Sequence, residues 1–428
     1  MTQSADDLLL DRLQRAAFRY FLEETNPANG LVADRTADGS PASITAIGFA
    51  LAAYVVAAER GFLARDEAAE RTLTTLRFFN RSEQSEAADA TGWRGFYYHF
   101  LDMQTGRRAG VCELSSIDSA FLLAGMLTSA AYFDCETAEE VEIRELATAL
   151  YERADWRWML NGGPTLAMGW KPRTGFLRWR WQGYSEALIL YLLALGSPSH
   201  PIAPDSYAAW TSTYRWKKFY GHEFLYAGPL FIHQLSHLWI DFRGIQDAYI
   251  RARQIDYFEN SRRATYVQRE YASRNPRGFE GYGETAWGIT ASDGPGPAVR
   301  KVDRVARRFF GYKARGVPYG PDDGTLAPWA AVASLPFAPE IVLPTLRDFS
   351  TSPADASSKY GFRATINPTY PAQRGKSHWV SPDHLGLNQG PIVMMVENYR
   401  SSLLWRLMRH CAPLRTGLLR AGFDGGWL

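Results

Sequence analysis

The sequence predicts an all-α protein in which an inner ring of helices packs inside an outer ring, with long loops and short β-hairpins gathered at one end. Three observations predict it. About a dozen segments carry apolar residues at the i, i+3, i+4 spacing of a helix face. The strand signals between them are short and too scattered for a central parallel sheet. The connections alternate between tight turns and elaborate loops, and no fixed period marks a helical solenoid. The 428 residues contain no low-complexity linker, and Gly294-Pro295-Gly296-Pro297 and the Pro-rich stretch 367–371 read as loops. One domain over residues 1–428 is therefore expected.

The series opens with a helix over 8–21, apolar at 8, 9, 10, 13, 17, 18 and 21. A second follows over 43–59, capped by Ser43 or Thr45 and stopped at Gly61. Further helical patterns cover 67–79, 116–133, 138–159 and 185–195. Later ones cover 229–239, 245–262, 329–334, 338–347 and 390–410. Two hairpins interrupt them. Segments 95–101 and 107–111 flank Gln104-Thr105-Gly106, and 166–170 and 176–181 flank Arg173-Thr174-Gly175.

Charge and cysteine usage narrow the function. With 47 basic and 45 acidic residues, net charge +2, the chain carries no strong field for nucleic acid or an anionic membrane. Three cysteines without CxxC spacing exclude a disulfide framework or a zinc ribbon. The apolar stretch at 189–195 is far short of the ~18 residues that span a bilayer. The N-terminus lacks the basic start and apolar run of a secretory signal, so a cytoplasmic location is expected, or a periplasmic one had a signal been removed. The oligomeric state is open.

Aromatic residues make up 14% of the chain, many of them in polar, Gly-rich stretches: WRGFYYHFLD, GWKPRTGFLRWRWQGY, YRWKKFYGHEFLY and GYGETAWG. Rings beside Arg, Asp and Glu suit a wet cleft where the apolar faces of a sugar can stack, although some would also cover the core under long loops.

Four constellations could carry chemistry. Glu113 and Glu186 each lie where a hairpin gives way to a helix, and two such carboxylates across an aromatic cleft could serve glycoside cleavage. The same positions suit helix caps. His233, His237 and Asp241 share one face of the expected helix, but Gln234 stands where a zincin has its glutamate and no third strong ligand is evident. Hydrogen bonds to substrate or buried backbone are the better use of these side chains. The loop 278–297 mixes Glu280, Glu284, Trp287 and Asp293 with glycines, a composition that suits sugar hydroxyls and would repel phosphate. Finally, Asp383-His384 lacks the G-x-S-x-G nucleophile elbow of a serine hydrolase.

At these same residues the chain resembles the glycoamylase-like family of bacterial endo-β-1,2-glucanases and the related domain of cyclic β-1,2-glucan synthases. The stretches that carry the resemblance are GFYYHFLDMQTGRR, CELSSIDSAFLLAGML, GYSEALILYLLALGSP, HQLSHLWIDFRGIQDAY, YFENSRRAT, YGETAWGITASDGP and GLNQGPIVMMVENYRSSLLW, spanning roughly Gly30 to Arg406. The resemblance implies an (α/α)6 barrel with a glucan-binding cleft, β-glucan or its oligosaccharides as substrate, and no metal or organic cofactor. It makes Glu186 the general acid and Glu113 the second carboxylate of the cleft, the nucleophile in transglycosylating relatives. Trp287, Asp293 and Arg243 fall in matching motifs, and Glu284, His237 and Asn388 are expected to touch substrate with them.

One departure bears on mechanism. The family pattern Asp-Gln-Gly-Pro reads Asn388-Gln389-Gly390-Pro391 here, and an asparagine cannot accept a proton as a base. An inverting reaction would then need another carboxylate, such as Asp383, whereas a retaining one needs only Glu113 and Glu186. The expected activity is endo-acting hydrolysis of β-1,2-glucan. A retaining transglycosylase and a catalytically idle glucan-binding protein are the alternatives that Asn388 leaves open.

Overall fold

Helices dominate the computed structural model, which describes residues 4–351, 358–371 and 378–428. The chain folds into two compact units, each assembled from separated segments. One comprises residues 1–20, 216–235 and 258–400, and the other 21–215, 236–257 and 401–428.

The second unit is built on helices of two kinds. Ile44–Glu59, Ser116–Tyr132 and Leu188–Gly196 are apolar nearly all round and buried along almost their whole length. Such helices can exist only inside a core. Arg65–Arg81 and Ala138–Glu152 instead bury one stripe and turn charged residues outward, and they pack on the first two. Leu188–Gly196 packs against Ala412–Arg420. Glycines set the closest approaches: a β-carbon at Gly125 would sit 2.1 Å from the Gly48 carbonyl oxygen, and one at Gly417 only 1.9 Å from that of Leu192.

A five-stranded antiparallel sheet crosses the N-terminal end of Ser116–Tyr132. Its strands, in spatial order, are Gly92–Trp93, Phe96–Tyr98, Leu114–Ser115, Gly169–Lys171 and Gly175–Phe176. The second predicted hairpin is present with its turn at Arg173, φ +71°. The first differs: Phe100–Leu101 pairs with Ala42–Ser43, and only Leu101 bridges to Arg108.

The first unit holds the helices Ala5–Glu23, Tyr257–Arg274, Pro328–Ala333, Pro339–Phe349 and Gly386–Ser401, nearly all of their residues within it, together with two-stranded ribbons. Arg315 and Asp323 form an ion pair with both side chains fully buried. The remaining guanidinium donors reach the Ser292 carbonyl at 2.6 Å and that of Phe310 at 3.1 Å, so the buried charge is satisfied throughout. Gly294 leaves the guanidinium room, since a β-carbon there would lie 2.1 Å from it. Gly294 thus lets this loop close on an arginine.

Several expected helices are shorter or divided. Residues 229–239 form two 3-10 turns, Leu230–His233 and Leu235–Leu238, separated at Gln234. Gln234 leaves the helical ladder because its amide binds the Ala330 carbonyl and the Ser334 hydroxyl. His233 and His237 therefore do not share a helix face, since at ~3.0 residues per turn the i and i+4 positions diverge. The pattern over 245–262 splits into Ala248–Arg251, capped by Asp247, and Tyr257–Arg274, with Gln254 at φ +59° between them. Likewise 390–410 becomes Gly386–Ser401 and Leu403–Arg409, broken at the left-handed Ser402. The helix expected from Ser185 begins at Leu188. Among the described residues, no helix is long and apolar enough to cross a membrane.

Candidate active site

Strand register brings the site together in the second unit. Tyr97 pairs with Ser115 and Tyr98 with Leu114, so the next positions, His99 and Glu113, face each other across the ladder. The His99 N–H donates to the Glu113 carbonyl at 2.9 Å, and His99 Nδ1 lies 3.2 Å from Glu113 Oε1. On the far side of Glu113, Gly169 pairs with Ser115, and a β-carbon at Gly169 would stand 3.1 Å from the Glu113 Cγ. The glycine is what gives the glutamate space.

Helix caps place the next carboxylate. Ser115 caps Ser116–Tyr132 by accepting the Asp118 N–H, and its own hydroxyl donates back to Asp118 Oδ2. Thr45, in the first turn of Ile44–Glu59, donates to Asp118 Oδ1 at 2.5 Å. The remaining side of Asp118 faces His99, with Oδ2 3.7 Å from Nδ1. The His99 ring also stacks on Phe100, centroids 4.0 Å apart.

Glu186 precedes Leu188–Gly196 in an irregular turn. Ser236 fixes that turn by donating to the Glu186 carbonyl at 3.2 Å while accepting the Ile189 N–H at 3.2 Å. Neither Glu186 nor Glu113 caps its helix: Ser115 performs that task in one case, and no side chain does in the other.

The electrostatics separate the two glutamates. Burial, with the Asp118 charge adding to it, raises the Glu186 pKa to about 7. Glu113 is held below the ordinary carboxyl range by its hydrogen bond to His99, against the opposing effect of burial, with the charges of His99 and Lys171 adding to the lowering. For His99, burial favours the neutral ring, but the charge of Asp118 and the bond to Glu113 outweigh it and lift the pKa to about 9. At neutral pH the unit therefore presents a protonatable acid at Glu186 and an ionised carboxylate at Glu113, the latter held by an imidazolium. Environments that drive two carboxyls apart in this way assign acid and base roles.

His99 and Asp118 were not singled out from sequence, and Thr45 was expected only as an alternative to Ser43 in capping its helix, a task that Ser43 performs. His99 and Asp118 lie within WRGFYYHFLD and CELSSIDSAF, but only the strand register shows that they meet. Arg243 is committed to Asp241 through two bonds of 2.7 Å and lies over the Trp405 ring at 4.7 Å. Arg409 shares Asp241. His237 is buried, its ring edge-on to Phe242, and its carbonyl accepts the Trp405 indole at 2.6 Å. It packs the core.

The remaining expected residues belong to the first unit. Trp287 is fully buried and offers no open face to a sugar, contrary to its expected place in a cleft. Glu284 projects to the surface, paired with Arg269 at 3.0 Å. The Asp293 carbonyl accepts the Thr365 hydroxyl. Asn388 is buried in the first turn of Gly386–Ser401, and Asp383, partly exposed, lies in the loop before it. His233 is buried, with the Ala227 carbonyl 3.2 Å from Nε2 and Asn260 at 3.4 Å from Nδ1, partners that suit packing rather than a metal. Among the described residues the one cluster with metal-ligand spacing is Asp134, Cys135 and Glu140, where Arg65 already binds Glu140 through two bonds.

The Glycoamylase family model, described as "Putative glucoamylase", matches residues 178–412. An exo β-1,2-glucooligosaccharide sophorohydrolase (non-reducing end) from Parabacteroides distasonis is 30% identical over 96% of this chain. The chain spans 57% of that relative's length. Among solved structures, a "putative glucoamylase" from Bacteroides uniformis is 31% identical, with TM-score 0.86 and full coverage of both chains. An endo-β-1,2-glucanase from Chitinophaga pinensis, in complex with sophorotriose and glucose, is 27% identical with the same TM-score and coverage.

Proposed function

Since the chain belongs to the Glycoamylase family, we propose that it is a glycoside hydrolase cleaving β-1,2-linked glucan, with Glu186 as proton donor and Glu113 as its ionised partner. The observation that carries the reading is the divergence of these two carboxyls, one lifted to about 7 by burial and the other held ionised by His99. Glycoside cleavage needs that pair: a protonated acid at the leaving oxygen, and a carboxylate that attacks the anomeric carbon or activates water. The names of the relatives supply the substrate class, and the full-length likeness to their structures supports a single-domain (α/α)6 barrel as the fold.

Within this mechanism Glu186 protonates the glycosidic oxygen as the bond to the anomeric carbon breaks, and its raised pKa keeps the proton available near neutrality. His99 does not transfer that proton. It holds Glu113 charged and oriented, and Asp118, fixed by Thr45 and Ser115, holds His99. The anomer released first assigns the role of Glu113: the β-anomer makes it the nucleophile of a retaining enzyme, and the α-anomer a base acting on water.

Glu186→Gln tests the assignment. Turnover of linear β-1,2-glucan should fall by about 10²–10⁴-fold, the usual contribution of a general acid, while the circular dichroism spectrum stays unchanged. Wild-type turnover in the variant would remove Glu186 from the mechanism.

A further inference from the structure

The ribbon beside Glu113 carries a side chain that the catalytic chemistry does not use. Trp179 is 60% exposed, and it is the one tryptophan among the exposed large apolar side chains of the described residues. Tryptophan is highly buried on average, so an exposed ring next to a candidate active site calls for a partner. The Arg178 guanidinium lies 4.4 Å from the ring centroid and covers one face of the indole. The exposure therefore belongs to the rest of the ring.

The segment bearing this ring is anchored to the catalytic sheet. The Trp179 carbonyl accepts the Met168 N–H at 3.1 Å, and the Met168 carbonyl accepts the Ser116 N–H at 3.2 Å. The adjoining Gly169 is the residue that abuts Glu113. Further along, Trp181 is buried and donates its indole N–H to Ser116 at 2.9 Å, which pins the ribbon again. Trp179 thus stands about two strand spacings, ~10 Å, from the strand that follows Glu113. Val111, 81% exposed, is a second open apolar side chain, in the turn two residues before Glu113.

We propose that Trp179, backed by Arg178, is a stacking platform that grips a glucosyl unit away from the bond being cleaved, so that long β-1,2-glucan chains are taken in preference to short ones. The proposal rests on the hydrolase reading above and adds a subsite to it. A pyranose ring offers an apolar C–H face of the right size for an indole, and a rigid ring costs little entropy to order. A contact made equally in ground state and transition state acts on KM rather than on kcat.

The test compares wild type, Trp179→Ala and Trp179→Phe on long linear β-1,2-glucan and on a short β-1,2-oligosaccharide. Thermal unfolding serves as the control for folding. Trp179→Ala should lower kcat/KM on the long chain roughly five- to tenfold, through KM, and lower it less on the short one. Trp179→Phe should recover most of the loss. Calorimetry in a Glu186→Gln background should show the same ordering of affinities for the long chain. Cleavage with an equal effect on both substrates, or with none on either, overturns the platform and leaves the hydrolase reading intact. Neither cleavage nor binding of glucan by any of the proteins overturns both.

Discussion

Glu186, proposed above as the proton donor, illustrates how a residue suited to acid catalysis costs stability. Its pKa is about 7 in the folded protein against an ordinary value of 4.5. In the unfolded chain the group therefore releases its proton first, and folded stability falls as pH rises from 4.5 to 7, with the full cost present above that. The gap corresponds to at most roughly 3–4 kcal/mol. Glu186→Gln should consequently be strongly impaired in turnover yet more stable than wild type at pH 8, with no gain at pH 4. Urea denaturation at both pH values checks this. The same pKa places the alkaline limb of kcat/KM near pH 7, where the acid loses its proton. His99 governs the other limb. Its raised pKa means that its contribution to stability is complete below 6.5 and is lost as pH rises through about 9. Replacing His99 by Asn removes the bond that depresses Glu113, so the acidic limb of the pH profile should move to higher pH. An unmoved limb would separate Glu113 from catalysis. The two glutamates stand out in the sequence as candidates from their place between hairpin and helix and from the family motifs. His99 and Asp118 were not, because their roles arise from a pairing register and a helix cap that bring together residues without a motif of their own.

At the scale of elements, the site depends on how closely the helices approach. Ser43 and Ser115 cap two helices whose first turns meet through Thr45 and Asp118, and further along the same helices meet at Gly48 and Gly125. A methyl group at Gly125 would press on the Gly48 carbonyl, which is backbone and cannot turn aside. Gly125→Ala should therefore destabilise the protein by about 1–3 kcal/mol, even though alanine is the better helix former by ~1 kcal/mol. A denaturant midpoint at or above that of wild type would show that the helices can separate without loss. Periodicity revealed most of the helices because a buried face writes itself into the spacing of apolar residues. It failed at 229–239, where the pattern is helical but Gln234 finds better partners across the core than along its own chain. It also misjudged Trp287. An aromatic residue in a polar, Gly-rich stretch reads as a cleft residue, yet here the loop folds over it and buries the ring.

At the scale of the whole molecule, the proposed hydrolase reading turns on where along the polymer the protein would cut. A relative is named for exo release of sophorose and a neighbouring structure for endo cleavage, so the family name leaves the mode to the shape of this chain. An exo enzyme must recognise a chain end, which requires a site closed beyond the terminal sugar. An endo enzyme must hold sugar units on both sides of the bond, and it gains from contacts set back from the chemistry. Trp179 is such a contact: exposed, backed by Arg178, and anchored to the strand next to Glu113. We therefore expect endo action. Early in digestion of long linear β-1,2-glucan, mean chain length should collapse while little reducing sugar has appeared, and a ladder of oligosaccharides should precede any disaccharide. Trp179→Ala should slow that collapse more than it slows the later trimming of short products. If sophorose alone accumulates from the first minutes while the remaining polymer keeps its length, the chain end is what is recognised. The exposed tryptophan would then have to serve the end of the chain rather than its middle.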